Sequence, residues 1–176
     1  MSEEPIEHRW DAELSDREVF LIGKVIVQWG ALEHEIFTQT LLTFDASEGE
    51  QAALPKAMNN LQVTELLALW KDRVVDQAKG DRSRVLQLQF DEILRLKDFR
   101  DAIVHGMWGW SASNLTTIST VRVRKKQVLT THSTSDDLDD FYGRLAKSIL
   151  RLGSQVVLKT SRAGAQRTAA TSAADC

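Results

Sequence analysis

Arg100 and His105 are the two residues of this chain whose types and spacing could do chemistry together, and Asp101 lies between them. A histidine exchanges a proton near neutral pH, so His105 could take a proton from a ribose hydroxyl. A guanidinium can hold a phosphate through two parallel hydrogen bonds. Arg100, Asp101 and His105 are therefore candidate catalytic groups for cleavage of a phosphodiester bond.

The segment that carries these residues is amphipathic and predicts a helix that Asp81 can cap and that stops at Gly106. Residues five apart leave a straight helix about 140° apart. A long arginine, unwinding of the helix at Gly106 or a second copy of the chain would have to bring Arg100 and His105 together.

Three further amphipathic segments predict helices. The first begins at the capping box Ser15-Asp16-Arg17-Glu18 and runs to about Phe44. Gly23 and Gly30 lie on one of its faces and favour close approach of another helix, which would offset their low helix propensity. The second helix runs from about Pro55 to Gln77, and the fourth begins at the cap Ser135-Asp136-Asp137.

Each predicted helix carries a stripe of apolar residues on the face expected to be buried. These stripes are Ile22, Val25, Trp29, Leu32 and Ile36 in the first helix, Leu61, Leu66, Leu67, Trp70 and Val74 in the second, Val85, Leu88, Ile93, Leu96, Phe99 and Ile103 in the third, and Leu138, Phe141, Leu145, Ile149, Leu152 and Val156 in the fourth.

Between the third and fourth helices the pattern changes from helical to alternating. Residues 117–124 alternate with period two, Lys125-Lys126 makes a turn, and 127–131 return, which predicts a β-hairpin. Residues 107–110 could add a third strand. The predicted fold is mainly α, an antiparallel four-helix bundle with a small β-hairpin or sheet inserted at about 107–132.

The predicted domain organisation has three parts. An acidic N-terminal arm covers 1–14, one helical domain covers 15–160, and a tail rich in alanine, threonine and serine, expected to be disordered, covers 161–176. A length of 176 residues, 27% charged and 43% hydrophobic, is typical of one globular domain.

The composition also bears on compartment and partners. No apolar stretch is long enough to span a bilayer, and the acidic N-terminus does not resemble a secretory signal. Cys176 is the one cysteine, so no intrachain disulfide can form, which favours a cytoplasmic protein. The net charge is −3, yet nine basic and five acidic residues lie between Asp81 and Lys126, a local excess compatible with a polyanion site.

The segment Leu96–Trp108, with Arg100, Asp101 and His105, resembles the signature of the HEPN superfamily. Members are compact helical bundles, and many are metal-independent endoribonucleases. Their motif is an arginine, a polar residue that is commonly asparagine, and a histidine after four to six intervening residues. The resemblance covers roughly 15–160 and implies a homodimer whose two motif helices line a shared cleft.

The resemblance implies a mechanism without a metal or cofactor. His105 would abstract a 2′-hydroxyl proton, Arg100 would stabilise charge on the phosphoryl oxygens, and Asp101 would orient one of them, leaving a 2′,3′-cyclic phosphate. Candidate RNA-binding residues are two tryptophans that could stack bases or pack between hairpin and bundle, and a basic run that could hold phosphates or form a solvated edge. They are Trp108, Trp110, Arg122, Arg124, Lys125 and Lys126.

Other sites and functions are open from the sequence. Glu33-His34-Glu35 splay around their helix and do not predict a metal site, and His132 stands isolated. The leading expectation is a ribonuclease, a toxin or phage-defence effector with an antitoxin or partner protein. The alternatives are a non-catalytic module for dimerisation or protein interaction, and a nucleotide-binding subunit that acts with a separate partner.

Overall fold

The computed structural model describes residues 14–44, 55–111, 114–124 and 126–172, and it gives the backbone alone for 110, 111, 114–116, 124 and 154–172. The described residues form four α-helices and a three-stranded sheet between the third and fourth helices, which confirms the predicted class. The elements are α1 (Asp16–Leu41), α2 (Val63–Trp70), α3 (Asp81–His105), β1 (Met107–Ser111), β2 (Asn114–Arg124), β3 (Gln127–Ser133) and α4 (Ser135–Ser172).

Two units of contacts make up the chain, one from 1–30 and 87–146 and the other from 31–86 and 147–176. The first unit contains the sheet, the start of α1 and the end of α3. Of the predicted N-terminal arm only Leu14 lies within the described residues. In the described part of the chain, no helix is both long and apolar enough to cross a membrane.

The capping box predicted at the start of α1 is confirmed. The backbone N–H of Ser15 donates to Glu18 Oε2 at 2.7 Å, and the Glu18 N–H donates to Ser15 Oγ at 3.3 Å. No described atom of the chain lies within 4 Å of a Cβ added at Gly23 or Gly30, so no described helix of the chain itself makes the close approach that these glycines favour.

The second predicted helix is interrupted. A 3₁₀ turn at Lys56–Met58 precedes α2, which passes at Trp70 into a π-helical segment at Lys71–Val75. Asn60 has φ 56°, a left-handed conformation that breaks the helix, and the backbone N–H of Gln62 then donates to Glu65 at 2.8 Å to start α2. The sequence signal at Pro55 therefore marked a turn rather than the start of one continuous helix.

The second unit is held by a buried polar side chain as well as by its apolar residues. The indole N–H of the fully buried Trp70 donates to Gln39 Oε1 at 3.1 Å, and Gln39 Nε2 donates to the carbonyl of Leu152 at 3.1 Å. Gln39 thus satisfies the polar group of the largest side chain in this unit.

Part of the predicted α3 stripe is wrong. Val85 and Leu88 are exposed, whereas Leu86 is fully buried. Later in the helix the stripe is confirmed at Ile93, Leu96 and Ile103, which are buried. In the first unit a core cluster forms around α3 from residues far apart in sequence, namely Leu21, Ile103, Ile118 and Leu138, with Leu14, Ile22, Phe99 and Trp108 packed against it.

The three strands form one antiparallel sheet in the order β1-β2-β3, as the alternating pattern predicts. Thr120 pairs with Trp108 on one side and with Thr131 on the other. The turn between β2 and β3 places Lys126 at φ 66°, where glycine or asparagine is more usual.

The cap of helix α4 lies one residue earlier than predicted, at Thr134 rather than Ser135. Thr134 is the capping residue, because its N–H donates to Asp137 Oδ2 at 2.8 Å and its hydroxyl oxygen accepts from the Asp137 N–H at 3.2 Å. The helix continues to Ser172, where the sequence predicts disorder from 161 onward. Alanine has the highest helix propensity, so an alanine-rich segment can extend a helix.

Candidate active site

Gly106 sets the geometry of the candidate site by letting the chain pass directly from α3 into β1. A Cβ at this position would lie 2.3 Å from the carbonyl oxygen of Ala102 and 2.7 Å from Cβ of Thr120. The sequence indicates Gly106 as a helix terminator, and the structure shows that glycine is needed because strand β2 passes so close. His105, the last residue of α3, therefore lies beside β2.

The side chains of Arg100 and His105 meet despite their separation around the helix. Arg100 Nη1 lies 3.3 Å from His105 Nε2, so the long arginine alone brings the two groups together within one chain. Arg100 also donates to Asp101 Oδ1 at 3.2 Å, and its guanidinium carbon lies 5.6 Å from the centre of the Trp29 ring. His105 is exposed, whereas the side chain of Arg100 is only 21% exposed.

Asp101 is the anionic centre of a cluster of cations. Lys97 Nζ donates to Asp101 Oδ2 at 2.6 Å, Arg100 donates to the other oxygen, and Arg122 Nη1 lies 3.8 Å away. Burial alone would raise the pKa of the Asp101 carboxyl, but hydrogen bonds from Lys97 and Arg100 and their positive charges hold the pKa below its ordinary value. Asp101 is therefore a carboxylate at neutral pH.

Arg122 belongs to the same cluster although it comes from the sheet. In β2 it lies on the same face as Ile118, which is in the core cluster, and the buried Thr120, so it faces α3. Its Nη2 donates to the carbonyl of Asp98 at 3.4 Å, and its Nε is buried with no hydrogen-bond partner among the described residues. The expectation of a solvated hairpin edge is wrong at Arg122, whose side chain is 16% exposed.

A cavity of about 490 Å³ opens beside this cluster. It exposes groups that could accept a proton or hold an anion, together with apolar side chains. The residues that line it are Asp101, His105, Met107, Val121, Arg122 and Val123.

Of the remaining predicted RNA-binding residues, Trp108 and Lys126 are not in this lining. Trp108 is half-buried and packs against the core cluster of the first unit. Lys126 is exposed in the hairpin turn. The side chains of Trp110 and Arg124 and the whole of Lys125 lie outside the described parts of the structure.

Two contacts of the first unit were not predicted from the sequence. Lys97 stands four residues before Asp101, the spacing of a helical ion pair, and that signal could have added it to the cluster. His132 is not isolated, because its Nδ1 lies 2.8 Å from Ser119 Oγ on the neighbouring strand. The pairing of Ser119 with His132 depends on strand register, which the residue types alone do not specify.

Among the described residues no three histidine, cysteine, aspartate or glutamate side chains form a group that could hold a metal ion. No model of a known protein family matches the sequence, and comparisons with curated proteins and with solved structures found no match.

Proposed function

We propose that this chain is a metal-independent endoribonuclease of the HEPN type. The observation that carries the proposal is the contact of Arg100 Nη1 with His105 Nε2 at 3.3 Å, beside a cavity that His105 and Arg122 line. An imidazole that can exchange a proton and guanidinium groups that can hold a phosphate are the two components that cleavage by the ribose 2′-hydroxyl requires.

In the proposed reaction, His105 Nε2 accepts the proton of a ribose 2′-hydroxyl as the hydroxyl replaces Arg100 at that nitrogen. The 2′-oxygen attacks the adjacent phosphorus, and the bond from phosphorus to the 5′-oxygen breaks. The 5′-oxygen takes up a proton from solvent water and leaves as a hydroxyl, a 2′,3′-cyclic phosphate remains, and His105 then returns its proton to solvent. Arg100, released from Nε2, lies close to the charge that develops on the phosphoryl oxygens and stabilises it.

The proposal includes the arrangement that the HEPN resemblance implies: an antiparallel four-helix bundle that works as a cytoplasmic homodimer and cuts cellular RNA as a toxin or defence effector. An exposed apolar face of α1 supports the proposal that this helix contacts a second copy of the chain. Phe20, Ile26 and Val27 are 63%, 51% and 73% exposed, and a second copy would remove this surface from water.

A non-catalytic interaction module is the second candidate function. The pairing of Arg100 with Asp101 at 3.2 Å supports it, because an arginine held by a carboxylate can serve structure alone. The exposed apolar face of α1 supports this candidate equally. Catalysis is therefore what separates the two functions.

The experiment is cleavage of RNA in the presence of EDTA by wild type, His105→Ala, Arg100→Ala and His34→Ala. His34 is exposed on α1 and serves as a matched control for loss of a histidine. We expect products with 2′,3′-cyclic phosphate ends from wild type and His34→Ala, and loss of at least about a hundredfold in rate for His105→Ala. Equal cleavage by all four proteins, or no cleavage by folded wild type, would refute the proposed ribonuclease function and favour the interaction module.

A further inference from the structure

Arg100 and Arg122 differ in the contacts that their guanidinium groups make. Arg100 contacts Asp101 and His105 and lies over the Trp29 ring, and it does not line the cavity. Arg122 lines the cavity. Its hydrogen bond to the backbone carbonyl of Asp98 is long, at 3.4 Å.

The ion pairs of Arg122 are also too long to be hydrogen bonds. Its nitrogens lie 3.8 Å from Asp101 Oδ2 and 3.9 Å from Asp98 Oδ1, and its buried Nε has no hydrogen-bond partner among the described residues. A buried donor without a hydrogen-bond partner destabilises the protein, and a ligand that accepts a hydrogen bond from it removes that cost. A small movement of this side chain toward the cavity would break only its long hydrogen bond and its two long ion pairs. The same movement would present Nε and one terminal nitrogen to an anion.

We propose that Arg122 is the residue that binds the scissile phosphate in the ground state, whereas Arg100 acts on the transition state. This inference rests on the proposed ribonuclease function and assigns the substrate-binding role within that site to the sheet. A guanidinium edge fits two phosphate oxygens, and His105 lines the same cavity, so a phosphate at Arg122 brings its ribose to the proposed base.

The walls of the cavity indicate which phosphate compound fits. Met107, Val121 and Val123 line it together with Arg122 and His105, and Met107 and Val123 are 60% and 73% exposed. Apolar side chains next to a cation favour a phosphodiester that carries a ribose and a base over inorganic phosphate. The ligand class is therefore an RNA phosphodiester.

The first test is binding of a 2′-O-methyl RNA oligonucleotide, which lacks the attacking hydroxyl and cannot be cleaved. Its affinity is measured by fluorescence anisotropy for wild type, Arg122→Gln, Arg122→Lys and Arg95→Gln. The side chain of Arg95 on α3 is 70% exposed and does not line the cavity, and Arg95→Gln changes the net charge as Arg122→Gln does. We expect affinity to fall about tenfold or more in Arg122→Gln and to change less than about threefold in Arg95→Gln.

Arg122→Lys keeps the charge without the fork of donors, and it guards against misfolding of the glutamine variant. Its affinity is expected to lie between those of wild type and Arg122→Gln, with an unchanged circular dichroism spectrum. Wild-type affinity in both Arg122 variants, equal losses in Arg122→Gln and Arg95→Gln, or no binding by wild type would overturn the assignment.

Cleavage kinetics separate this inference from the proposed function. With cleavable RNA, Arg122→Gln is expected to raise KM, whereas Arg100→Gln is expected to lower kcat and to leave the affinity for 2′-O-methyl RNA within about threefold. If Arg122→Gln cleaves RNA with an unchanged KM, Arg122 does not bind the scissile phosphate in the ground state, although the ribonuclease function stands. If wild type binds RNA through Arg122 but does not cleave it, the proposed ribonuclease function is refuted, whereas phosphate binding by Arg122 is supported.

Discussion

Asp101→Asn should tighten the binding of RNA at the candidate site. The carboxylate lies 2.6 Å from Lys97, 3.2 Å from Arg100 and 3.8 Å from Arg122, so it neutralises the cations that a phosphate would need. Asparagine has nearly the same shape and keeps one oxygen that can accept a hydrogen bond, but it removes the negative charge. The substitution therefore tests electrostatic competition between the carboxylate and the substrate.

The size of the effect follows from Coulomb's law. A phosphate in contact with Arg122 would lie about 6 Å from the Asp101 carboxylate, and two unit charges at that distance repel by about 0.7 kcal/mol at the dielectric constant of water and about 2.8 kcal/mol at an effective value of about 20. These energies correspond to about threefold and about a hundredfold in affinity. The Asp101 side chain is 15% exposed, which places the expected gain well inside this range.

The assay is fluorescence anisotropy with the 2′-O-methyl RNA at low and high salt, and Asp98→Asn is the matched control. Asp98 is on the same helix and its carboxylate lies 3.9 Å from Arg122, but its side chain is 62% exposed. Both substitutions change the net charge equally, so a larger gain for Asp101→Asn isolates the local effect. Unchanged or weaker binding by Asp101→Asn, or an equal gain in Asp98→Asn, would refute the reasoning.

The same substitution should lower stability at neutral pH. The pKa of Asp101 is held below its ordinary value in the folded protein, so its charge stabilises the fold above the unfolded pKa of about 3.9. This contribution disappears as the pH falls through the lower, folded pKa. Urea denaturation should therefore show a deficit for Asp101→Asn at pH 7 that shrinks toward pH 3, and a deficit independent of pH would contradict the charge argument.

Three further predictions concern the elements that position the site and the second unit. Gly106→Ala should destabilise the protein by about 1–3 kcal/mol, because its Cβ would lie 2.3 Å from a backbone oxygen, and a thermal melt equal to that of wild type would contradict this expectation. Asp137→Asn should reduce stability at pH 7 and less at pH 3, because hydrogen bonds from the Thr134 backbone and hydroxyl lower the pKa of Asp137; urea denaturation at both pH values measures this. Gln39→Ala removes the side-chain oxygen that accepts from the buried indole N–H of Trp70 and should cost about 1–3 kcal/mol in denaturant unfolding, whereas no loss would mean that the bond contributes little.

The local features of the fold were predictable because they depend on neighbouring residues. The capping box at Ser15 and Glu18 acts within one helical turn, and strand alternation followed by Lys125-Lys126 marks the hairpin. The break near Asn60 was missed although asparagine favours the left-handed conformation, since the apolar periodicity on either side predicts one continuous helix. The α3 stripe was shifted at Val85 for a similar reason, since periodicity alone does not distinguish two adjacent faces that both carry apolar residues.

The sequence by itself determined that Arg100, Asp101 and His105 lie near the end of one helix, because residue types, spacing and helical period are local properties. Only the tertiary structure decided that Arg122 joins Lys97 and Arg100 around Asp101. Arg122 reaches this carboxylate because Gly106 lets β2 approach α3 closely and because strand register places Arg122 toward the helix. Those contacts join residues more than ten positions apart, and packing of the whole unit, rather than any local pattern, fixes their distances.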